Sequence, residues 1–267
     1  MSPPDILMRV AERRRERLGQ EGRLGSVPES DAGSPLAPSD NDFLGALAAR
    51  KARRAPGVIA EIKMGSPRLG DLAGRVDPIA QSKLYAAAGA TCLSVVVEPD
   101  FFHGSYDLLA ACREASGLPA IAKDFIVDPC QLVLARDAGA SAVLLIAALL
   151  TAEELEGFAG QARALGLVPV VETAAPIDLA KVAVAEEGWE ITGINNRDLR
   201  TFEVSLERSM TLLPLLPFGA IKVAESGIRN GGDVALLFDA GFDAFLVGEA
   251  LLLADDPART LREMLGG

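Results

Sequence analysis

Charged side chains end several short apolar runs of this 267-residue chain. The first run, GVIAEIK, ends with Glu61 and Lys63, and later runs end with Lys123 and Glu172. Residues two apart in an extended segment point to the same face, so Glu61 and Lys63 are expected side by side. Lysine and glutamate side chains that meet in one pocket can exchange protons with a bound molecule. The pattern therefore predicts acid–base chemistry wherever the fold gathers these residues.

Three further runs end in polar residues or glycine, namely Asn195, Arg197, Glu225, Ser226, Gly248 and Glu249. Any one of the charged residues could equally belong to a structural ion pair. Burying several charges without a function is costly, however, unless each charge is well paired. We therefore expect these residues and the four above to form one functional cluster.

The elements that would position this cluster are strands alternating with helices. Short apolar runs predict eight strands, at 57–63, 92–98, 119–123, 142–147, 167–172, 190–195, 220–225 and 243–248. The segments AGATCLSVV, AGASAVLLI and AGFDAFLV each place a glycine where a helix should end and an apolar strand directly after it. Eight units of similar length favour a closed parallel barrel over an open doubly wound sheet. The predicted fold class is therefore α/β, a (β/α)8 TIM barrel over residues 54–267.

An N-terminal helical extension, residues 1–53, is predicted to precede the barrel within a single domain. Residues 5–19 show the pattern of an amphipathic helix, and its arginines are expected to form a solvated face. The glycine-, serine- and proline-rich segment 20–41 is predicted to be a flexible linker. A second helix is expected from Asp42 to about residue 53.

Composition restricts the possible partners. A net charge of −11 and a pI near 4.7 argue against nucleic acid and anionic membranes, although a local group of cations could still bind a small anion. No signal peptide and no apolar run of membrane-spanning length is apparent. Three cysteines without a CxxC motif indicate reduced thiols and a cytoplasmic location. The single histidine, His103, excludes a histidine-rich metal site.

Two glycine-containing turns follow the seventh and eighth predicted strands, ESGIRNGG and VGEALL. In TIM barrels the active site lies at the carboxyl ends of the strands, and phosphate groups commonly bind in the turns after these two strands. Ordinary tight turns are the alternative. The position of both turns favours a phosphorylated ligand.

Six motifs resemble, in order, those of the indole-3-glycerol phosphate synthase family: VIAEIKMGSP, FFHGSYDLL, KDFIVDPCQL, GINNRDLRTF, AESGI and LVGEALL. The resemblance covers nearly the whole chain except residues 20–41. It implies closure of the anthranilate ring of 1-(o-carboxyphenylamino)-1-deoxyribulose 5-phosphate with loss of CO2 and water. It also implies that no cofactor or metal takes part.

The resemblance assigns roles to individual residues. Lys123 matches the family's general acid, and the full implied catalytic set is Lys123, Glu172, Glu61, Lys63, Asn195 and Ser226. The residues implied to bind substrate are Ser66, Phe102, Arg197, Glu225, Gly227, Gly248 and Glu249. Phe102 would flank the aromatic ring, whereas Gly227, Gly248 and the backbone of Glu249 would hold the phosphate.

Three departures from the family pattern leave other functions open. SPRLG replaces the usual SPSKG, VETAAP follows the fifth strand, and SVVVE replaces SVLTE. A related barrel that binds a phosphorylated ligand without turnover, or with a different substrate, is one alternative. An isomerase that acts one step earlier would need a cysteine on the first strand, where none is present. A monomer or weak homodimer is expected.

Overall fold

The computed structural model describes residues 6–25, 41–67, 70–72, 74–198 and 203–267. Its strands are β1 (Gly57–Ile62), β2 (Gly65–Ser66), β3 (Gly70–Asp71), β4 (Cys92–Val96), β5 (Ala120–Lys123), β6 (Ala142–Ile146), β7 (Val168–Thr173), β8 (Ile191–Asn195), β9 (Ile221–Glu225) and β10 (Ala244–Val247). Eight of them pair in parallel and close in the order β1-β10-β9-β8-β7-β6-β5-β4, while β2 and β3 form a separate antiparallel hairpin. The predicted eight strands and the TIM-barrel fold are confirmed. The hairpin was not predicted.

Helices surround the barrel and precede it. Along the chain they are α1 (Ile6–Gln20), α2 (Asp42–Ala52), α3 (Pro78–Ala87), α4 (Tyr106–Ser116), α5 (Cys130–Asp137), α6 (Ala152–Ala164), α7 (Pro176–Ala183), α8 (Leu206–Leu212), α9 (Gly231–Ala240), α10 (Glu249–Leu252) and α11 (Pro257–Met264). The three glycines of the repeated segments, Gly89, Gly139 and Gly241, all have positive φ at the ends of helices. Glycine adopts this left-handed conformation without a steric penalty, so the repeat marks real helix ends.

Strand residues alternate between two apolar clusters, and this alternation directs Glu61 into the barrel. Val58, Ala60 and Ile62 of β1 pack outward in the cluster shared with the helices. Ile59 packs inward in the cluster that fills the lumen. The predicted face of Glu61 is therefore confirmed, because it shares the inward side with Ile59.

Helix α2 closes the end of the barrel opposite the carboxyl ends of the strands. Its Phe43 and Leu47 are buried in the lumen cluster. Asn41 caps the helix, and its Nδ2 also donates to the backbone oxygens of Ser141 and Gly166 at 2.8 and 3.0 Å. This packed base leaves the other end of the barrel as the place for a site.

Helix α1 lies over the opposite end of the barrel. One of its arginines, Arg14, is buried, although the sequence pattern predicts a solvated side chain. Arg14 is 3% exposed, and its Nη2 donates to Oδ2 of Asp124 at 2.7 Å. The prediction of a solvated arginine face is therefore wrong for Arg14. The pattern of an amphipathic helix cannot reveal a partner that lies 110 residues away in the chain.

All three cysteines, Cys92, Cys112 and Cys130, are buried free thiols, as predicted. Among the described residues, no helix is both long and apolar enough to cross a membrane.

Candidate active site

A cavity of about 180 Å³ opens at the carboxyl ends of the strands, beneath α1. Ten of the thirteen predicted site residues line it: Glu61, Lys63, Ser66, Phe102, Lys123, Glu172, Asn195, Arg197, Ser226 and Glu249. They come from positions at or after seven of the barrel strands and from the β2–β3 hairpin. The barrel thus brings together side chains that are as much as 188 residues apart in sequence (249 − 61).

Glu61 joins the two lysines on one side of the cavity. The Nζ of Lys63 lies 2.9 Å from its Oε1, and the Nζ of Lys123 lies 3.4 Å from its Oε2. Burial alone would raise the pKa of Glu61, but the two ammonium groups lower it to about 2. Glu61 is therefore ionised at neutral pH and holds both cations in place.

Lys123 stands at the centre of the site. Its Nζ donates to Oε2 of Glu225 at 3.3 Å in addition to its contact with Glu61. Burial by itself would lower the pKa of Lys123, but the charges of Glu225 and Glu61 raise it above its ordinary value. Lys123 consequently remains a cation that can donate a proton.

The other side of the cavity is built from carboxyl groups. Glu172 is buried, and its Oε1 accepts a hydrogen bond from Nδ2 of Asn195 at 3.1 Å. Burial and the nearby Glu225 raise the pKa of Glu172, Lys123 and Asn195 oppose this effect, and the resulting pKa is about 8. Glu172 therefore holds a proton at neutral pH, in contrast to Glu61.

Glu225 lies behind the cavity and not on its surface. It is fully buried, and the cavity lining does not include it. The resemblance implied a substrate contact for Glu225, but its contact in the structure is with Lys123. Its geometry is that of a residue that positions Lys123.

Two glycines provide the space in which the carboxylates sit. A Cβ on Gly248 would collide with Oε1 of Glu61. A Cβ on Gly193 would lie 2.7 Å from Oε1 of Glu225. Gly248 was predicted as a phosphate contact only, and Gly193, in the GINN motif, was not singled out. No sequence signal could have identified it, because its pairing with Glu172 on the neighbouring strand is known only from the structure.

A second cavity of about 560 Å³ adjoins the first one, at the turns after β9 and β10. It is lined by the predicted phosphate residues Gly227, Gly248 and Glu249, together with Ser226 and Arg197. Ser226 and Gly227 have φ values of +65° and +77°, which turn the backbone sharply after β9. The Nη2 of Arg197 lies 3.8 Å from Oε2 of Glu249, so the rim carries a cation beside the turn.

An aromatic wall faces the charged groups. The ring of Phe102 lies 5.9 Å from that of Phe125, centroid to centroid. The loop that carries Phe102 is held by the buried carboxylate of Glu98, which accepts from the backbone N–H groups of Asp100, Phe101 and Phe102. Sequence reasoning predicted Phe102 but missed Glu98 and Phe125.

Helix α1 completes the apolar wall of the cavity with Leu7 and Val10. Below them, Asp124 accepts from Arg14, from Oη of Tyr106 and from Nε2 of Gln131, so the helix is anchored directly beside Lys123. Ser66 lines the cavity from the β2–β3 hairpin. Arg68, the departure from the family's loop pattern, lies outside the described residues.

Lysines and glutamates around the open end of a (β/α)8 barrel define an enzyme that works by acid–base catalysis. Residues 7–264 match the family model described as indole-3-glycerol phosphate synthase. The chain is 41% identical over 261 residues to an indole-3-glycerol phosphate synthase of Acidithiobacillus ferrooxidans, covering 97% of this chain and 98% of that one. It is 40% identical over 264 residues to that of Azoarcus sp., covering 98% and 99%. The chain therefore belongs to the indole-3-glycerol phosphate synthase family of carboxy-lyases.

A solved structure supports the fold at greater distance. Thiamine phosphate pyrophosphorylase from Pyrococcus furiosus superposes with a TM-score of 0.57 at 15% identity, covering 79% of this chain and 94% of that one. At this identity the likeness extends to the barrel fold alone.

Proposed function

We propose that the cavity closes the indole ring of 1-(o-carboxyphenylamino)-1-deoxyribulose 5-phosphate by general acid–base catalysis centred on Lys123. The chain is an indole-3-glycerol phosphate synthase by family, and this proposal concerns which residues perform the reaction. The observation that carries it is the placement of Lys123 between Glu61 and Glu225, at the open end of the barrel.

Ring closure needs an acid at the ketose carbonyl. As the ring carbon that bears the carboxylate attacks the carbonyl carbon, the oxygen gains negative charge and takes a proton from Lys123. Loss of CO2 then restores the aromatic ring. Glu61 and Glu225 hold the ammonium group against this oxygen, and the aromatic wall of Phe102 and Phe125 offers a surface for the ring.

Dehydration completes the reaction. A hydroxyl leaves as water, and the carbon beside the ring nitrogen loses a proton. Glu172, Glu61 and Lys63 are placed to supply these proton movements, while Asn195 orients the Glu172 carboxyl. The backbone at Gly227, Gly248 and Glu249, with Ser226 and Arg197, is placed to hold the phosphate.

The test is a turnover assay with this substrate. Indole fluorescence should develop with the purified protein and should be lost in Lys123→Ala. The exposed Lys83→Ala provides a matched control that should keep full activity. A fully active Lys123→Ala protein would contradict the assigned acid. Tight binding of the substrate without product would instead favour the non-catalytic alternative.

We further propose that the enzyme acts on its phosphorylated substrate in the cytoplasm, as a monomer or weak homodimer, with residues 1–53 as an extension of the barrel. The three buried free thiols support a reducing compartment. Sedimentation equilibrium over a range of protein concentrations tests the oligomeric state, and a stable tetramer would contradict it.

A further inference from the structure

The charged groups of the site do not balance if all of them are ionised. Lys63, Glu61, Lys123 and Glu225 form a continuous chain of ion pairs from β1 to β9. These two cations and two anions are matched. Glu172 would add a third anion to a buried cluster, and an uncompensated buried charge is strongly unfavourable. A proton on Glu172 makes the cluster neutral.

The backbone between Glu172 and Glu225 provides room for the two carboxyl groups to approach. Glu172 on β7 pairs with Gly193 on β8, and Gly193 pairs with Val223 on β9, two residues before Glu225. A side chain at position 193 would point into the lumen, as those of Ile191 and Asn195 do. A Cβ there would lie 2.7 Å from Oε1 of Glu225. The carboxylate of Glu225 thus occupies the space that a side chain at position 193 would need.

The oxygen that faces this space lacks a donor. Oε1 of Glu225 is buried and has no hydrogen-bond partner, whereas Oε2 accepts from Lys123. Glu172 and Glu225 lie on the two strands that flank Gly193, and the proximity of Glu225 raises the pKa of Glu172. Two adjacent carboxyl oxygens can form a hydrogen bond only if one of them carries a proton.

We propose that Glu172 and Glu225 share one proton, which Glu172 carries and donates to Oε1 of Glu225, and that Gly193 is the positioning residue that lets them meet. The groups facing Glu172 are Lys123 from β5, Asn195 from β8 and Glu225 from β9, with Glu61 and Lys63 beyond Lys123. Lys123 donates to Oε2 of Glu225, which assigns the proton of the pair to Glu172.

The pair gives Glu172 two roles in turn, and this part rests on the proposed function. Protonated Glu172 gives its proton to the leaving hydroxyl, which departs as water. The resulting carboxylate then takes the proton from the carbon beside the ring nitrogen as the new double bond forms. The pair ends the dehydration with the same single proton with which it began.

The shared proton can be observed in the free protein, without substrate. Infrared spectra of the wild-type protein at pH 6 should show a protonated buried carboxyl that Glu172→Gln removes. In Glu225→Gln the new amide can donate to Glu172, so the carboxyl should lose its proton at least one pH unit lower. No such carboxyl in the wild-type protein, or an unchanged titration in Glu225→Gln, would overturn the proposal.

Gly193→Ala tests the positioning role separately. A methyl group at this site should force the Glu225 carboxylate away and move the titration of Glu172 in the same direction as Glu225→Gln does. Gly157→Ala, at an open position on α6, is the matched control and should leave the titration unchanged. An unchanged titration in folded Gly193→Ala would remove Gly193 from the proposal.

Kinetics then separate this proposal from the proposed function. The pH profile of kcat/KM in Gly193→Ala should shift by the same amount as the infrared titration. A protein that shows the infrared titration but never forms product would retain the shared proton and contradict the proposed function alone.

Discussion

The two sides of the site contain the same kind of side chain in opposite states. Glu61, on the side of the two lysines, is buried and has its pKa lowered to about 2. Glu172, on the side of Asn195 and Glu225, is also buried and has its pKa raised to about 8. Burial favours the neutral form of both, so the neighbours decide the difference. An acid and a base are therefore obtained from two glutamates.

Lys123 is the residue shared by the two sides, and its removal should have the largest effect. Lys123→Met should lower kcat by about 10²- to 10⁴-fold, the usual contribution of a general acid. Steady-state kinetics with the phosphorylated substrate measure this loss, and Lys83→Met on the exposed face of α3 is the control. A decrease of less than fivefold would show that the two sides work without their common cation.

Acid unfolding should distinguish Glu61 from Glu172. The folded-state pKa of Glu61 is depressed, so its stabilising contribution is present above the ordinary glutamate pKa and disappears as the pH falls towards 2. This contribution is on the order of 3 kcal/mol. Urea unfolding between pH 5 and pH 2.5 should therefore show a smaller loss of stability in Glu61→Gln than in the wild-type protein.

The exposed Glu153→Gln is the control for this measurement and should follow the wild-type curve. If the stability of Glu61→Gln fell with pH as steeply as that of the wild-type protein, the two lysines would not stabilise the charge of Glu61.

Glu172 should act on stability at the opposite end of the pH scale. Its folded-state pKa is raised, so its favourable contribution is complete below the ordinary glutamate pKa and is lost as the pH rises through about 8. The free energy of unfolding of the wild-type protein should therefore fall between pH 5 and pH 9 more steeply than that of Glu172→Gln. Parallel curves for the two proteins would contradict the protonated state.

A substitution outside the two sides of the site should leave the opposite protonation states of Glu61 and Glu172 unchanged. Its effect on activity should be the smallest. Arg14→Met releases α1, while Asp124 keeps donors from Tyr106, Gln131 and the backbone of Phe125. With the apolar wall loosened, KM should rise about tenfold, equivalent to about 1.4 kcal/mol of binding. The pH dependence of kcat should stay unchanged.

Arg15→Met, on the exposed face of the same helix, is the control and should leave KM at the wild-type value. A shifted pH profile in Arg14→Met would show that α1 also controls the proton chemistry beside Lys123.

Features with local periodicity could be predicted from the sequence, and contacts between distant segments could not. The eight strands and the inward face of Glu61 follow from alternation within single runs. The Arg14–Asp124 pair and the space beside Gly193 depend on which strands become neighbours, so they appear only in three dimensions. The β2–β3 hairpin was missed because two-residue strands carry no alternation.

The resemblance and the structure contributed different parts of the site. Lys123, Glu172 and the two phosphate turns could be placed at strand ends from pattern alone, whereas Phe102 and Gly227 needed the family motifs. Glu98 was missed by both because its function is to hold the backbone of a loop, which no residue pattern records.

The end of the barrel that α2 closes also determines how the products leave. With Phe43 and Leu47 filling the lumen there, carbon dioxide, water and the phosphate ester must all depart by the route along which the substrate arrived. Product release is therefore ordered: carbon dioxide and water leave either past the bound phosphate ester or after its release.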